Sequence, residues 1–197
     1  MRLQPKSCHE SVTRCLISYG SNLSNDLGES QNLIELALSG LSSKGIHIVK
    51  KSGHFRSSAF PIGSGPDFIN GVVLCDAQNQ PAHKIIEIVH EVEATLGRVR
   101  QKRWGARVID LDLLDHTGQV LPDAATAMHW RELPIQDQMT QTPDQLLLPH
   151  PRIQDRAFVL VPLKVVCPDF THPATGSTVD QMLSQLTPQD IADVRAI

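Results

Sequence analysis

The order of apolar segments in the first 114 residues constrains the fold of this chain more than any other feature. Four segments are short and rich in β-prone residues: 14–19, 45–58, 68–77 and 108–114. Two longer segments, 27–41 and 81–97, have the apolar spacing of amphipathic helices. The resulting order, β-α-β-β-α-β, is the split βαβ pattern of ferredoxin-like folds. We therefore expect an α+β fold in which helices cover one face of an antiparallel sheet and the other face is open to ligands.

The rest of the chain adds an insertion and a C-terminal extension to this pattern. Residues 118–146 are polar with weak periodicity, which predicts an insertion with one short helix at about 124–131. The simplest interpretation of this insertion is a surface flap without a role in chemistry, and the alternative is a segment that covers the active site. The segment 157–166 is apolar enough for a buried helix or strand, and one more amphipathic helix is expected after Thr178.

The size and composition of the chain permit one domain with its own core. Its 197 residues are 41% hydrophobic and 20% charged, so we expect a single domain over 14–197 after a flexible tail over 1–13. The net charge of −3 gives no bulk attraction to nucleic acid or to an anionic membrane. The four cysteines are scattered without a C-x-x-C pair, which favours reduced thiols. No apolar run approaches the roughly 20 residues of a membrane helix. We expect a cytoplasmic monomer.

Two aspartates alternate on the last predicted strand. Asp110 and Asp112 stand among apolar residues in the segment VIDLDLL, and side chains two apart share one face of a strand. Paired carboxylates repel each other and resist desolvation unless a positive charge lies between them. Mg²⁺ prefers such oxygen ligands and completes its shell with phosphates and water. The pattern indicates a metal-bound polyphosphate, with an edge strand carrying two solvated acids as the alternative.

A cluster of arginines precedes these aspartates. It consists of Arg98, Arg100, Arg103 and Arg107, accompanied by Gly97, Trp104 and Gly105. Guanidinium groups present forked donors that match phosphate oxygens. A basic surface loop or a nucleic-acid patch would use the same residue types, because arginine and tryptophan also hold phosphates and stack on bases. The two acids that follow favour a site for a metal and a nucleotide, since carboxylates without a metal would repel a nucleic-acid backbone.

Further motifs follow the same order as those of a known enzyme family. They are Gly20-Ser21-Asn22, PDFIN at 66–70, RWGARVIDLDLL at 103–114, and LPHPR at 148–152 with Arg156 and Phe158. In these motifs the chain resembles the bacterial pterin pyrophosphokinases of folate synthesis, over about residues 14–170. The resemblance implies transfer of the terminal diphosphate of ATP to 6-hydroxymethyl-7,8-dihydropterin, with release of AMP.

The resemblance also implies roles for individual residues. Asp110 and Asp112 match the acids that hold two Mg²⁺ ions. The residues that match catalytic arginines are Arg98, Arg100 and Arg107. Those that match contacts to ATP are Arg98, Arg100, Trp104, Arg107, Leu113, His150 and Arg156. Those that match the pterin pocket are Ser58, Ala59, Phe60, Phe68, Asn70 and Phe158.

The residue types suit a pterin as well as a nucleotide. A pterin is flat and polar at its rim, so it suits aromatic faces above and below and amide partners in its plane. Phe68 and Asn70 lie two apart on one predicted strand and therefore face the same way. Taken alone, they would be an ordinary core residue and a strand-end amide, and a lone histidine such as His150 is usually structural. The nearby Arg152 and Arg156 favour a phosphate role for His150.

The chain departs from the family pattern at two places, and two other classes of protein are alternatives to this hypothesis. Ser58-Ala59 stands where Thr-Pro is common, and Gln145 stands where some relatives carry an arginine, so we expect one nucleotide contact to be missing. A different two-metal enzyme would also carry paired carboxylates on a ferredoxin-like sheet. A non-catalytic module for RNA or a small regulator would leave the paired acids without a purpose. For the transfer itself we expect no dedicated strong base, because positioning and charge stabilisation dominate such reactions.

Overall fold

The computed structural model describes residues 13–59, 63, 65–98 and 107–197, and in them six strands form one antiparallel sheet. The strands are β1 (Arg14–Ser21), β2 (His47–Lys51), β3 (Phe55–Ser57), β4 (Phe68–Asp76), β5 (Asp110–His116) and β6 (Arg195–Ala196). Their order is β5-β1-β4-β3-β6, and β2 also pairs with β4. The expected α+β class and the antiparallel sheet are therefore confirmed. The predicted N-terminal tail lies outside the described residues, apart from residue 13.

Seven α-helices and one short 3₁₀ helix (Ile153–Asp155) accompany the sheet in the described part of the chain. The α-helices are α1 (Ser30–Ser43), α2 (Ala82–Thr95), α3 (Ala124–Glu132), α4 (Ile135–Thr140), α5 (Ala157–Val166), α6 (Val179–Leu183) and α7 (Pro188–Asp193). The tail after Thr178 contains two short helices and β6 where one helix was expected, because the Thr187 side chain accepts a hydrogen bond from the backbone N–H of Asp190 and starts a new helix. Among the described helices, none has the length and apolarity needed to cross a bilayer.

The predicted strand at 45–58 is divided into β2 and β3. Residues 52–54 separate the two strands, and Gly53 has a φ of +83°. That value lies in the left-handed region, which glycine adopts without steric cost and which strand residues do not adopt. Both halves nevertheless pair with β4, so the break divides the strand without removing it from the sheet.

One face of the sheet packs against α1 and α2. Alternate residues of β1, Cys15, Ile17 and Tyr19, belong to one buried cluster with Ile34 of α1 and Val89 of α2. This is the helix-covered face that the sequence predicts. Full burial of a single aliphatic side chain of this kind stabilises the fold by roughly 1.5–3 kcal/mol.

The opposite face also carries a helix, which corrects the expectation that helices cover one face only. Leu16, Val72 and Leu114 point away from α1 and α2 and form a second buried cluster with α5 residues, among them Leu160. Where Leu16, Val72 and Leu114 lie, the strands are apolar on both faces of the sheet, so an uncovered face would leave these side chains in water. Beyond α5 the same face carries polar residues, among them Asp112.

Tyr19 lies across the middle of the sheet over a glycine. The register pairs it with Gly71 of β4, and its hydroxyl donates to the carbonyl oxygen of Gly53 at 2.6 Å. Burial raises the pKa of Tyr19 to about 12. A Cβ at position 71 would lie 2.1 Å from the tyrosine oxygen, well inside van der Waals contact. The ring therefore requires glycine at position 71.

The insertion at 118–146 is closed at its base by a pair of backbone hydrogen bonds. The N–H of Leu121 donates to the carbonyl of Leu148 at 2.8 Å, and the reciprocal bond measures 3.2 Å. Helix α3 begins as the sequence predicts, because the Asp123 carboxylate accepts a hydrogen bond from the N–H of Thr126 at 2.9 Å. Ala127 on its inner side is buried. The insertion is thus folded onto the body of the protein.

Candidate active site

Asp110 and Asp112 lie on the same face of β5, as the alternation of strand residues predicts. Across the sheet Asp112 pairs with Ser18 and Asp110 with Gly20, while Leu111 between them is buried in the cluster beside α1 and α2. The Asp110 side chain is 18% exposed and that of Asp112 is 33% exposed. Both carboxylates therefore border the part of the face that α5 does not cover.

Two of the predicted arginines hold Asp110. Nη2 of Arg98 lies 2.7 Å from Oδ1, and Arg107 donates from Nη1 to Oδ2. Burial raises the pKa of Asp110, and the negative charge of Asp112 raises it further, whereas Arg107 and Arg98 oppose the shift. Burial and the neighbouring carboxylate thus disfavour the ionised form of Asp110. A bound cation would favour that form.

Asp112 faces a different pair of groups. Nη1 of Arg156 donates to its Oδ2 at 3.3 Å, and Nε2 of His150 lies 4.0 Å from the same oxygen. Burial, together with the charge of Arg156, lowers the pKa of His150 to about 4, so this imidazole is neutral at neutral pH. Burial opposes ionisation of Asp112, but the surrounding positive charges outweigh it and lower its pKa. The positive charge of protonated His150 is the largest of these, followed by those of Arg156, Arg107 and Arg98.

A buried glutamate that the sequence analysis missed contacts the same arginine cluster. Glu93, in the last turn of α2, is 2% exposed and pairs with Arg98. Its Oε1 accepts a hydrogen bond from the N–H of Leu111 at 2.7 Å. Burial raises its pKa to about 7, although Arg98 opposes the shift. A signal was present in the sequence, because Glu93 follows Val89 by four residues and so lies on the apolar face of the helix.

The Gly20-Ser21-Asn22 segment at the end of β1 is hydrogen-bonded both to the arginine segment and to the loop that precedes β4. The Ser21 hydroxyl donates to the carbonyl of Val108 at 2.6 Å. The Asn22 side-chain oxygen accepts from the N–H of Arg107 at 2.7 Å, and its amide nitrogen donates to the carbonyl of Pro66 at 3.0 Å. This short motif therefore fixes the backbone of Arg107 beside the carboxylates.

Phe68 and Asn70 lie on β4, on the same side of the sheet as the two aspartates. Asn70 is buried, and its Nδ2 donates to the hydroxyl of Ser57 at 2.9 Å. Gly20 lies between Asn70 and Asp110 in the register, and a Cβ there would come within 3.0 Å of Asn70 Oδ1. A side chain at position 20 would therefore crowd the amide of Asn70.

The second predicted aromatic residue, Phe158, extends from α5 and is 36% exposed. The guanidinium carbon of Arg156 lies 5.7 Å from its ring centroid, within the range of a cation–π contact. Because α5 packs against β4, Phe158 and Phe68 come from adjoining elements. Both rings are partly exposed.

Ser58 and Ala59 continue from the end of β3. The N–H and the hydroxyl of Ser58 donate to the two carboxylate oxygens of Asp193, at 2.8 and 2.7 Å, and Ala59 is buried. Asp193 ends α7 and was not expected near the site. Its distance of 135 residues from Ser58 along the chain explains why no local pattern revealed it.

The remaining predicted residues divide into two groups. Phe60, Arg100 and Trp104 lie outside the described residues. The side chain of Leu113 is buried in the cluster beside α1 and α2, on the face opposite the aspartates. A contact between Leu113 and a nucleotide would therefore involve its backbone.

A cavity of about 330 Å³ adjoins the carboxylates. Arg107, His150, Arg152 and Arg156 contribute its cationic and imidazole lining. The rest comes from Pro151 and from the insertion and the residue after it, through Trp130 and part of the segment 141–147. The insertion thus borders the site, which favours the alternative of a segment beside the active site over a flap that only covers the surface.

The fold resembles that of solved structures that contain a pterin pyrophosphokinase part. A chain described as HPPK-DHPS in complex with substrates superposes with a TM-score of 0.60 and 12% sequence identity, covering 88% of this chain and 43% of that one. Wild-type HPPK-DHPS of Plasmodium falciparum gives a TM-score of 0.60 at 12% identity and covers 88% of this chain and 44% of its own. This chain therefore spans less than half the length of those structures, and the likeness concerns the fold.

Sequence comparison gives a closer relationship. A protein of Methylorubrum extorquens named 2-amino-4-hydroxy-6-hydroxymethyldihydropteridine pyrophosphokinase is 33% identical over 184 residues, which cover 93% of this chain and 99% of the relative. A protein of the same name from Synechocystis is 32% identical and covers 92% of this chain and 78% of the relative. The sequence model of one family, described as 7,8-dihydro-6-hydroxymethylpterin-pyrophosphokinase, matches residues 16–168. The chain therefore belongs to the 7,8-dihydro-6-hydroxymethylpterin-pyrophosphokinase family.

Proposed function

We propose that this protein transfers the diphosphate group of ATP to 6-hydroxymethyl-7,8-dihydropterin in folate biosynthesis, forming the pterin diphosphate and AMP. Membership of the family and the names of the relatives support this reaction. The observation that carries it is the pair Asp110 and Asp112, which share one face of β5 and are approached by Arg98, Arg107 and Arg156.

The nucleotide site is proposed to lie between β5 and the turn that precedes α5. Arg107, His150 and Arg156 border the cavity beside the carboxylates, and forked guanidinium donors match phosphate oxygens. In its neutral form His150 can donate one hydrogen bond, from its ring to a phosphate oxygen of ATP. We expect Arg98 and Arg107 to exchange a carboxylate partner for phosphate oxygens when ATP binds. Arg100 and Trp104 complete this set by their match to the family.

Asp110 and Asp112 are proposed to hold two Mg²⁺ ions. Carboxylate oxygens are the ligands that Mg²⁺ prefers, and this ion commonly takes only one or two carboxylates beside phosphates and water. The raised pKa of Asp110, caused by burial and by the charge of Asp112, fits a site in which a cation compensates the two acids. When bound, Mg²⁺ neutralises charge on the polyphosphate.

The pterin site is proposed to lie over β4, between Phe68 and Phe158. Asn70 offers an amide at the polar rim of the pterin, held by its bond to the Ser57 hydroxyl. Ser58, Ala59 and Phe60 would line the remaining edge. A flat heterocycle between two aromatic rings gains both apolar contact and stacking energy.

The transfer is proposed as an in-line attack of the pterin hydroxymethyl oxygen on the β-phosphorus of ATP. The residues of the site act by positioning the two substrates and by placing positive charge near the oxygens on which negative charge develops. His150 is a poor general base, because burial lowers its pKa to about 4. This agrees with the expectation that the reaction uses no dedicated strong base.

We also infer a ferredoxin-like arrangement for the β-α-β-β-α-β part of the chain, in which β2 and β3 together take the place of one edge strand. The order β5-β1-β4-β3, with every pairing antiparallel, supports it. A cytoplasmic monomer remains the expected form of the protein. Size-exclusion chromatography with light scattering would test the oligomeric state.

The reaction is tested by incubating the protein with ATP, Mg²⁺ and the pterin and by following AMP and pterin diphosphate by chromatography. We expect both products in equal amounts and no AMP without the pterin. A different two-metal enzyme would form AMP or pyrophosphate independently of the pterin. A non-catalytic binding module would form neither product, and either outcome would contradict the proposal.

A further inference from the structure

We propose that Trp130, on helix α3 of the insertion, forms a wall of the nucleotide site against which the adenine base of ATP packs. This inference rests on the proposed function and extends it to a part of the chain that the sequence predicted to be a surface flap. It makes Trp130 a residue that determines affinity for the base, separate from the residues that hold the phosphates.

The first argument is that the position of α3 is fixed. The reciprocal hydrogen bonds between Leu121 and Leu148 close the base of the insertion at 2.8 and 3.2 Å. The Asp123 cap starts α3 immediately afterwards, and Ala127 buries the inner side of the helix. Trp130 follows Ala127 by three residues and therefore lies close to the same side.

The second argument comes from the distribution of charge around the cavity that Trp130 borders. The groups that contact Asp112, namely Arg156 at 3.3 Å and His150 at 4.0 Å, lie on the carboxylate side. A polyphosphate would occupy that side, since its charge must lie near both the cations and the metal-binding acids. The base must then take the part of the cavity with uncharged lining.

That uncharged lining is supplied largely by the insertion. Trp130, Pro143 and Leu146 border the cavity, and the indole is half-buried. Gln145 in the same lining adds an amide and no charge. A flat, half-buried indole beside apolar side chains is a suitable surface for a purine, because stacking of a base on an aromatic side chain is favourable for every base.

The experiment separates contacts to the base from contacts to the phosphates. Calorimetry measures the binding of Mg²⁺-ATP and of Mg²⁺-tripolyphosphate, which lacks the nucleoside, to the wild type and to Trp130→Ala. Trp130→Phe keeps an aromatic surface. Glu132→Gln is the matched control on the same helix, since Glu132 is exposed. Loss of its negative charge would not weaken the binding of an anionic ligand.

We expect Trp130→Ala to bind Mg²⁺-ATP roughly tenfold more weakly and tripolyphosphate with unchanged affinity. Trp130→Phe should stay within about threefold of the wild type for both ligands, and Glu132→Gln should not weaken either. Equal ATP affinity in the wild type and Trp130→Ala would overturn the inference while leaving the proposed function intact. An equal loss for both ligands would also overturn it, because the effect would not concern the base. A wild type that binds no Mg²⁺-ATP would overturn the proposed function itself.

Discussion

Asp110 and Asp112 differ in their surroundings although one residue separates them. Arg98 and Arg107 form ion pairs with Asp110. Burial raises the pKa of Asp110, and the negative charge of Asp112 raises it further. Arg156 contacts Asp112, whose pKa is lowered by positive charges despite its burial. Asp112 also has the more exposed side chain, 33% against 18% for Asp110, so we expect it to be the more accessible ligand for a cation.

Asp112→Asn tests this role with little change in shape. The variant keeps a side chain of the same size on a strand whose core residues are unchanged, so we expect it to fold. We expect kcat to fall roughly 100- to 1,000-fold, which corresponds to about 3–4 kcal/mol of transition-state stabilisation. Steady-state kinetics measures the loss, and circular dichroism with thermal unfolding checks the fold. Turnover close to that of the wild type would remove Asp112 from the proposed metal site.

Glu93 links pH to stability. Burial raises its pKa from a usual value of 4.5 to about 7, so the folded protein binds this proton more tightly than the unfolded chain does. The stability that it contributes is complete below pH 4.5 and is lost as pH rises through about 7. The full shift corresponds to roughly 3 kcal/mol.

Glu93→Gln isolates this contribution from those of other acids. The amide oxygen can still accept the hydrogen bond from Leu111, but the side chain no longer titrates. In urea unfolding between pH 5 and pH 8, we expect the free energy of unfolding of the wild type to decrease with pH more steeply than that of the variant. Parallel profiles for the two proteins would mean that Glu93 does not titrate in this range.

Among the elements, the C-terminal segment has a larger role than its length suggests. Strand β6 pairs with β3, and Asp193 at the end of α7 holds the N–H and hydroxyl of Ser58. Ser58 opens the segment proposed to line the pterin pocket. The C-terminal residues thus position one wall of the site without being expected to contact either substrate.

Asp193→Ala removes two hydrogen bonds to Ser58. Since a hydrogen bond contributes about 0.5–1.5 kcal/mol net, and a charged acceptor contributes more, we expect the Kd for the pterin to rise roughly tenfold. Affinity for Mg²⁺-ATP should not change. Calorimetry with each ligand measures both effects, and Gln189→Ala, on the exposed side of α7, is the control. Unchanged pterin affinity would show that Ser58 needs no such support.

The spacing of apolar residues along the chain predicted the helices and strands whose formation depends on neighbouring residues. It gave β1, α1, β4, α2 and β5 close to their bounds and the shared face of Asp110 and Asp112, because those features follow from spacing along the chain. It missed the break at Gly53, where one backbone angle decides the outcome. It also missed the bond between Asp193 and Ser58, because contacts between distant parts of the chain leave no local pattern.

In the molecule as a whole, one sheet supports two cores and the candidate site. The first core lies under α1 and α2, and the second lies between the sheet and α5. The sequence suggested the second only as an apolar segment at 157–166 of undecided structure. It did not reveal that Leu16, Val72 and Leu114 require cover, because apolar residues on both faces of a strand are visible only once the strands are paired.

Leu160→Ala tests whether this second core is needed for the fold. Leu160 is fully buried in the cluster, and we expect the variant to lose roughly 2–5 kcal/mol of unfolding free energy. Val165→Ala, on the same helix but 47% exposed, should change stability by less than about 1 kcal/mol. Chemical denaturation measures both. Similar small losses in the two variants would mean that α5 packs loosely.

The contact between Tyr19 and Gly71 restricts which substitutions the middle of the sheet can accept. Any larger residue at 71 would collide with the tyrosine hydroxyl, since its Cβ would lie 2.1 Å from that oxygen. Loss of the hydroxyl at 19 would remove the bond to the Gly53 carbonyl and the 3.5 Å contact with Nδ1 of His54. Shortening the side chain at 19 would not by itself admit a larger residue at 71, because the added Cβ would also lie 2.7 Å from the backbone carbonyl oxygen of Gly53.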